Sequence, residues 1–276
     1  MILITGGRGS VGTNLLALLR ADDLAVRVGS RRPEQLPADI SAMTCDLTDP
    51  STFPAALAGV TSVFLYAEPS TITEFATAAT EAGVEHIVLL SSTAALGPDA
   101  ATNPLGKFHL DTEVGLAAAR MTTTVLRPGT FAGNARIWAD AIKAGSPVSL
   151  PYPDAYTDPI HELDIAAAAH AVLTKPDHRG AEHQLTGPEA LTFRQQLDRI
   201  AEVTGQPVAV DHVTPEEWKE QIRGHLPISV ADALLDHWRR HDGVPTPLTD
   251  TVTTLTGRPS RTFTNWIEDN AAEFTA

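Results

Sequence analysis

The strongest constraint on the fold is a run of glycines directly after the first apolar segment. Residues 1–5 read as a short strand, four glycines fall between residues 6 and 12, and an apolar helical pattern follows. The spacing Gly7-x-Gly9-x-x-Gly12 matches the dinucleotide fingerprint, in which glycines allow a tight turn, close approach of the pyrophosphate and close helix packing. Amides at the helix N-terminus then hold the diphosphate. The alternative is a plain glycine-rich turn. The candidate cofactor contacts in this loop are Gly6, Arg8, Gly9, Ser10, Val11 and Gly12.

The second predicted strand ends in a basic sequence. In a site that prefers NAD, an acidic residue about 20 positions beyond the glycines binds the ribose 2′-hydroxyl. Residues 28–32 read VGSRR, so Arg31 and Arg32 stand where a 2′-phosphate would lie and no acidic residue is present. Guanidinium groups bind phosphate well, which favours NADP(H), and Arg8 is available to the same pocket. The alternative is that both arginines are solvated residues ahead of Pro33.

Strand-like and helix-like segments alternate through the first half of the chain. Buried parallel strands are continuous apolar runs, and residues 62–66 (SVFLY) and 86–90 (HIVLL) have that composition. The alternation predicts an α/β fold with a doubly wound parallel sheet. A proline-rich stretch at 147–159 indicates a boundary near residue 150. We therefore expect a nucleotide-binding domain at 1–150, and at 151–276 a smaller, mainly helical C-terminal cap that binds substrate and is interleaved with the sheet.

Charge and cysteine content exclude several other classes. The 276 residues include 20 Lys and Arg against 34 Asp and Glu, a formal net charge of −14 at pH 7. So acidic a chain repels nucleic acid and anionic membranes, and we expect neither as a partner. Cys45 is the single cysteine, which excludes an internal disulfide and fits a cytoplasmic location. We expect no export signal at the N-terminus, and no apolar run in the sequence is long enough to span a membrane.

A metal site is not expected either. His161 and Asp164 have a spacing that resembles a ligand pair, but Asp164 stands at the start of a predicted helix. An acidic residue there stabilises the first helical turn through the helix dipole. We therefore predict no bound metal.

Motifs at the ends of successive strands resemble those of the short-chain dehydrogenase/reductase superfamily, and specifically its atypical NmrA-like branch. They are Gly6-x-x-Gly9-x-x-Gly12, Arg31, Asp46-Leu47, Ser91-Ser92, Arg127-Pro128-Gly129-x-Phe131 and the late Leu185-Thr186-Gly187-Pro188-Glu189. Within that branch, the segment His109-Leu110-Asp111-Thr112-Glu113 resembles the NAD(P)H:quinone oxidoreductases. The resemblance spans nearly the whole chain and implies a Rossmann-type fold that binds NADP(H).

The resemblance also implies further cofactor contacts. Asp46 and Leu47 would flank the adenine, and Ser91 would lie beside the cofactor at the end of the fifth strand. Tyr66, Ala67 and Glu68 would line the groove beyond the fourth strand. For Asp46 and Tyr66 the alternative is a structural role without cofactor contact. Asp46 is also typical of a turn cap, and Tyr66 of a core residue at a strand end.

The superfamily's proton donor, a Tyr with a Lys four residues later, is absent. The three tyrosines, Tyr66, Tyr152 and Tyr156, are followed four residues on by Ser70, Tyr156 and Ile160.

Reduction of an ordinary ketone needs such a donor, because the product alkoxide is strongly basic. Quinone reduction needs no strong proton donor, because the conjugate acid of its product phenolate has a pKa of about 10. We expect His109, with Ser92 or Thr93, to orient or protonate the acceptor. The alternative for His109 is a structural bridge to Asp111 or Glu113.

Three aromatic residues are candidates for an apolar wall against the substrate: Phe131, Trp138 and Trp218. The alternative is ordinary core packing. The leading hypothesis is an NADPH-dependent oxidoreductase, monomeric or homodimeric, that transfers hydride to a quinone or similar conjugated carbonyl. A regulatory protein that senses NADP(H) without turnover and a tailoring reductase of specialised metabolism are the alternatives.

Overall fold

The computed structural model describes residues 1–275, in which short strands and helices alternate as predicted. The strands are β1 (Ile2–Ile4), β2 (Val26–Ser30), β3 (Ala42–Thr44), β4 (Ser62–Tyr66), β5 (His86–Leu90), β6 (Thr122–Pro128), β7 (Val148–Leu150), β8 (Tyr156–Thr157), β9 (Glu182–Leu185), β10 (Leu191–Thr192) and β11 (Val210–His212). The helices are α1 (Ser10–Ala21), α2 (Phe53–Leu57), α3 (Ile72–Glu81), α4 (Pro104–Ala117), α5 (Ala139–Lys143), α6 (Glu162–Thr174), α7 (Phe193–Thr204), α8 (Pro215–Gln221), α9 (Ile228–Arg240), α10 (Thr251–Thr256) and α11 (Phe263–Asn270).

A seven-stranded sheet dominates the fold. Its order is β3-β2-β1-β4-β5-β6-β9, and every neighbouring pair is parallel. The order reverses direction at β1, as in doubly wound sheets, and β9 extends the sheet beyond β6. The predicted Rossmann-type α/β fold is confirmed.

The chain divides into two compact units. The first unit contains Met1–Pro128, Glu162–Leu185 and Thr251–Arg258, and the second contains Gly129–His161, Thr186–Asp250 and the residues from Pro259 onward. The expected boundary near residue 150 falls inside the second unit. The chain leaves the sheet directly after β6 and returns to the first unit for α6, β9 and α10. The proline-rich stretch therefore lies inside the second unit, where it includes β7 and β8.

Helices pack on the sheet of the first unit in two groups. One group is α1, α6 and α10, and the other is α2, α3 and α4. Side chains alternate between the faces of a strand, so Leu65 and Leu89 join the core formed with α2, α3 and α4, while Phe64 and Val88 point to the opposite face and are equally buried. Burial on both faces explains why most residues of β4 and β5 are apolar.

The parallel strands place the candidate cofactor residues at one edge of this sheet. Loops after β1 to β5 all leave from the carboxyl ends of their strands, where open α/β sheets bind ligands. These loops contain Gly6–Gly12, Arg31, Asp46, Glu68 and Ser91. The first unit therefore brings together residues that are widely separated in the sequence.

The second unit is mainly helical and has an aromatic core. Its short strands form two pairs, β10 with β8 and β11 with β7. All four tryptophans of the chain belong to it, and aromatic rings pack edge to face in a continuous series from Trp138 through Phe193 and Trp238 to Trp218. Centroid separations along the series run from 5.0 to 5.8 Å, the range of favourable aromatic pairs.

Neither a membrane helix nor a metal cluster is found within residues 1–275. None of the helices there combines the length and the apolar composition that a membrane crossing requires. The same residues contain no group of three or more His, Cys, Asp and Glu side chains arranged to hold a metal ion.

Candidate cofactor and acceptor sites

The glycine loop begins immediately after β1 and ends inside α1. Gly6 has a positive φ of 63°, and the Gly9 amide donates to the Gly6 carbonyl at 2.9 Å, which closes the turn. Gly9 is the N-cap of α1 and has no side chain to bind the first amides of the helix. No side-chain cap therefore occupies the Ser10 and Val11 amides, in agreement with the dinucleotide fingerprint.

Close packing at Gly12 gives this loop its shape. A Cβ atom at Gly12 would lie 2.7 Å from the Gly6 carbonyl oxygen and 3.0 Å from the Gly7 Cα, so no larger residue fits without a backbone shift. Val11 is buried on the same helix, while Arg8 and Ser10 are exposed. The turn between β1 and α1 therefore requires glycine at position 12, as the dinucleotide fingerprint does.

Tyr66 lies over this loop. A Cβ atom at Gly6 would be 2.6 Å from the Tyr66 ring, and one at Gly9 would be 3.0 Å from the phenol oxygen. Burial raises the pKa of Tyr66, and a hydrogen bond from the Gly12 amide to the phenol oxygen opposes that shift. The Tyr66 amide donates to Thr5 Oγ1 at 2.9 Å, which fixes the end of β4 beside β1. Tyr66 is thus both a packing residue and part of the lining of the glycine loop.

Basic side chains surround the end of β2. Arg31 and Arg32 are exposed, and the Arg32 amide is held by Ser30 Oγ at 3.1 Å. Arg8, from the glycine loop, donates to Gln35 Oε1 at 2.6 Å and so lies beside the segment that follows the two arginines. This arrangement presents guanidinium groups to solvent at the same sheet edge as the glycine loop.

Two acidic candidates are engaged in local turns. Asp46 Oδ1 accepts from the Thr48 amide at 3.0 Å and the Thr48 hydroxyl at 2.8 Å. These bonds, and to a lesser degree the charge of Arg31, lower the pKa of Asp46. Glu68 Oε1 binds the amide and hydroxyl of Ser70 in the same way. Both carboxylates thus make turns, the alternative considered for Asp46.

Their neighbours pack against the core. Leu47 and Ala67 are partly buried against the cluster formed with α2, α3 and α4. The Leu47 carbonyl accepts a hydrogen bond from the Thr71 hydroxyl. This contact joins the loop after β3 to the loop after β4.

A buried ion pair that the sequence did not predict fixes the ends of β5 and β6. Arg127 donates to both carboxylate oxygens of Glu113, from Nε at 2.9 Å and from Nη2 at 2.6 Å. The Ser91 hydroxyl donates to Glu113 Oε1 at 2.5 Å, and Arg127 Nη1 donates to Glu182 at 2.5 Å. The pairing with Glu113 is the main factor that raises the pKa of Arg127. The Ser91 side chain, a predicted cofactor contact, is therefore committed to Glu113.

The three catalytic candidates lie at two positions in the first unit. Ser92 caps the short helical turn at Thr93–Leu96 through its hydroxyl, which accepts from the Ala94 amide at 3.2 Å. Thr93 is partly buried at the start of that turn, and His109 is partly buried on α4. Within residues 1–275, no hydrogen bond joins His109 to Ser92.

His109 has a distinctive environment. Its Nδ1 atom is buried and lacks a hydrogen-bond partner within residues 1–275. Burial lowers the pKa of His109, and the charge of Glu113 opposes that shift. The alternative bridge to Asp111 or Glu113 is not formed, because Asp111 pairs with Lys107 at 2.6 Å and Glu113 with Arg127.

The aromatic acceptor candidates of the second unit differ in environment. Trp218 is buried and packs edge to face on Trp238. Trp138 is buried and packs edge to face on Phe193, which matches the core-packing alternative. Phe131 is only partly buried, and its backbone forms an isolated bridge with Ile160. Of the three, Phe131 keeps a side chain with exposed surface.

Comparisons with known proteins agree with this geometry. The model of the NAD(P)H-binding family matches residues 6–176. The (4-alkanoyl-5-oxo-2,5-dihydrofuran-3-yl)methyl phosphate reductase of Streptomyces griseus is 33% identical, with 99% of each chain covered. The NAD(P)H azoreductase of Xenophilus azovorans is 32% identical, with 100% of each chain covered.

A solved structure shows the same relationship. The NADPH-dependent quinone oxidoreductase of Escherichia coli has a TM-score of 0.81 and 25% sequence identity, and the match covers 98% of this chain and 99% of that one. The resemblance predicted from the strand-end motifs is confirmed. The chain belongs to the NAD(P)H-binding family and is an NAD(P)H-dependent oxidoreductase.

Proposed function

We propose that the chain transfers hydride from NADPH to a quinone or a similarly conjugated acceptor. The observation that carries the proposal is the basic edge of the first unit, where Arg31 and Arg32 are exposed beside the glycine loop. The residues on β2 that precede them include no carboxylate that would favour an unphosphorylated ribose. Arg8 adds a third guanidinium beside Gln35.

The acceptor class is supported by the chemistry of the named relatives. One is a quinone oxidoreductase and one an azoreductase. The third is named for a dihydrofuran ring whose double bond is conjugated with both the oxo and the alkanoyl group. All three acceptors place the incoming hydride on a conjugated system, which lowers the basicity of the product anion. This chemistry suits a chain in which no tyrosine is followed four residues later by lysine.

His109 is proposed to orient the acceptor and to donate a hydrogen bond to its developing oxyanion. Its lowered pKa favours the neutral imidazole, which still carries one N–H donor. Bound NADPH supplies the hydride, and the acceptor takes up one proton and leaves as the hydroquinone. Ser92 and Thr93 are proposed to hold the end of β5 against the acceptor.

The test is a fluorescence titration with NADPH and with NADH, followed by addition of a series of quinones. Arg31→Ala/Arg32→Ala should weaken NADPH binding by more than about tenfold and leave NADH binding unchanged, because only NADPH carries the 2′-phosphate. Arg20→Ala is the matched control, since Arg20 is equally exposed on α1 but pairs with Asp39. An unchanged NADPH preference in the double variant would contradict the 2′-phosphate assignment.

The same experiment separates the acceptor classes. Rapid oxidation by quinones supports the proposed reaction, whereas preference for a furanone or azo compound would indicate a tailoring or azo reductase. Tight NADPH binding with no oxidation by any of them would favour a regulatory protein that senses the cofactor.

His109→Ala should lower kcat about tenfold, the effect of one hydrogen bond. An unchanged kcat would remove His109 from the site.

A further inference from the structure

The second unit contains a buried carboxylate to which the proposed reaction assigns no role. Asp158, directly after β8, is 8% exposed. Its Oδ1 atom accepts from the Thr130 amide at 3.0 Å. The Thr130 hydroxyl also hydrogen-bonds to it, and His241 is the titratable group whose charge acts on it. Asp158 forms no ion pair within the described residues, which is unusual for a buried carboxylate.

Gly129 makes this position possible. A Cβ atom at Gly129 would lie 1.9 Å from Asp158 Oδ2, 2.4 Å from Cγ and 2.5 Å from Oδ1. No side chain fits there while the carboxylate stays in place. The glycine of the Arg127-Pro128-Gly129 motif is therefore explained by the approach of Asp158.

The carboxylate belongs to a clamp on the segment 130–132. Two residues beyond Asp158, the Ile160 amide donates to the Thr130 carbonyl at 2.8 Å, and the Ile160 carbonyl accepts from the Ala132 amide at 2.8 Å. The Thr130 amide donates to Asp158. The backbone on both sides of Phe131 is thus held from one short segment, 158–160.

An ionised Asp158 lowers the stability of the folded protein, because its charge is buried, and packing alone does not require that charge. Burial raises the pKa of Asp158 to about 6, so the ionised form is disfavoured by its surroundings. An asparagine has nearly the same shape and accepts the same amide hydrogen bonds without a buried charge. Groups that cost stability are typical of functional positions.

We propose that Asp158 is a positioning residue for the acceptor, whose carboxylate holds the Thr130 amide and thereby fixes the side chain of Phe131. The inference rests on the proposed function and on the sequence-based prediction that Phe131 contacts the acceptor. It predicts that loss of the carboxylate weakens acceptor binding and leaves cofactor binding intact, because the glycine loop and the arginines belong to the first unit.

The first test compares the wild-type protein with Asp158→Asn in NADPH titrations and in steady-state assays with a quinone. The variant should raise the KM for the quinone about three- to tenfold, because a charge-assisted hydrogen bond becomes a neutral one. The Kd for NADPH should not change. Asp154→Asn is the matched control, since Asp154 is exposed in the same unit and pairs with Arg194 at 3.2 Å.

A second pair of variants tests the geometry. Gly129→Ala alone should lower the Tm and raise the KM, because its methyl group displaces the carboxylate. Adding Asp158→Ala should recover the Tm, since the collision is removed, but should leave the KM high. A wild-type KM in the folded double variant, or in Asp158→Asn, would overturn the inference.

The two proposals fail in different ways. If wild-type protein with bound NADPH reduces no quinone, the proposed function fails and takes the role of Asp158 with it. If wild-type protein turns over and Asp158→Asn matches it in KM, the role of Asp158 alone is refuted.

Discussion

Removing the Glu113 carboxylate should destabilise the protein far more than removing Glu182, although both bind Arg127. Glu113 and Arg127 have side chains that are only 11% and 8% exposed, whereas Glu182 is 64% exposed. Glu113→Ala leaves the Arg127 charge buried with one solvent-exposed partner. Breaking a buried pair in this way typically costs about 3–5 kcal/mol. Loss of the exposed Glu182 contact should cost about 0–1 kcal/mol.

Thermal unfolding followed by circular dichroism measures this difference. At about 2–4 °C for each kcal/mol, Glu113→Ala should lower the Tm by about 10 °C, and Glu182→Ala by at most a few degrees. Replacing the pair together, as Glu113→Leu/Arg127→Met, should restore most of the loss, because no buried charge then lacks a partner.

Equal Tm values for Glu113→Ala and Glu182→Ala would refute the reasoning. So would a double replacement that is as unstable as Glu113→Ala. Either result would mean that solvent reaches Arg127 freely and that burial does not set the strength of the pair.

Three further predictions concern the glycine loop and two buried titratable groups. Gly12→Ala should raise the Kd for NADPH at least about tenfold in a fluorescence titration, because the added methyl group meets the Gly6 carbonyl and distorts the loop. An unchanged Kd would contradict this role of Gly12. Burial lowers the pKa of His86 in the folded protein to about 4, from the ordinary histidine value of 6.5. Below pH 6.5 the unfolded state therefore binds more protons than the folded state does. Stability should therefore fall by up to about 3 kcal/mol from pH 6.5 to pH 4 in urea unfolding, and His86→Gln should flatten that slope. The opposite sign holds for Asp158, whose raised pKa of about 6 favours the protonated form in the folded state. The stability that the folded state gains from the protonated carboxyl is lost as the pH rises from 4 to 6. Asp158→Asn should therefore be more stable than wild type by about 2–3 kcal/mol at pH 7 and equal to it at pH 4.

The local patterns of the first unit could be predicted because each depends on neighbouring residues. Continuous apolar runs identified β4 and β5, and the glycine spacing identified the loop before α1. The helical segments between successive strands then left parallel pairing as the expected arrangement, because parallel strands need long crossover connections.

Long-range choices could not be predicted in the same way. No local signal in residues 129–185 shows that the chain leaves the sheet after β6 and rejoins it at β9. The pairing of Glu113 with Arg127 depends on how α4 packs beside β6, and Trp138 looks the same in sequence whether it faces a ligand or Phe193. Asp46 was ambiguous because the same carboxylate suits a turn cap and a position beside the adenine.

The uneven distribution of aromatic residues makes the two units optically distinct. Every tryptophan of the chain belongs to the second unit, and the first contains Tyr66 as its single tyrosine. Intrinsic emission excited at the red edge of the indole band therefore monitors the second unit alone. Emission from the nicotinamide of NADPH, held at the proposed site in the first unit, reports on that unit. One fluorimeter can therefore tell whether denaturant unfolds the two units in one transition or in two.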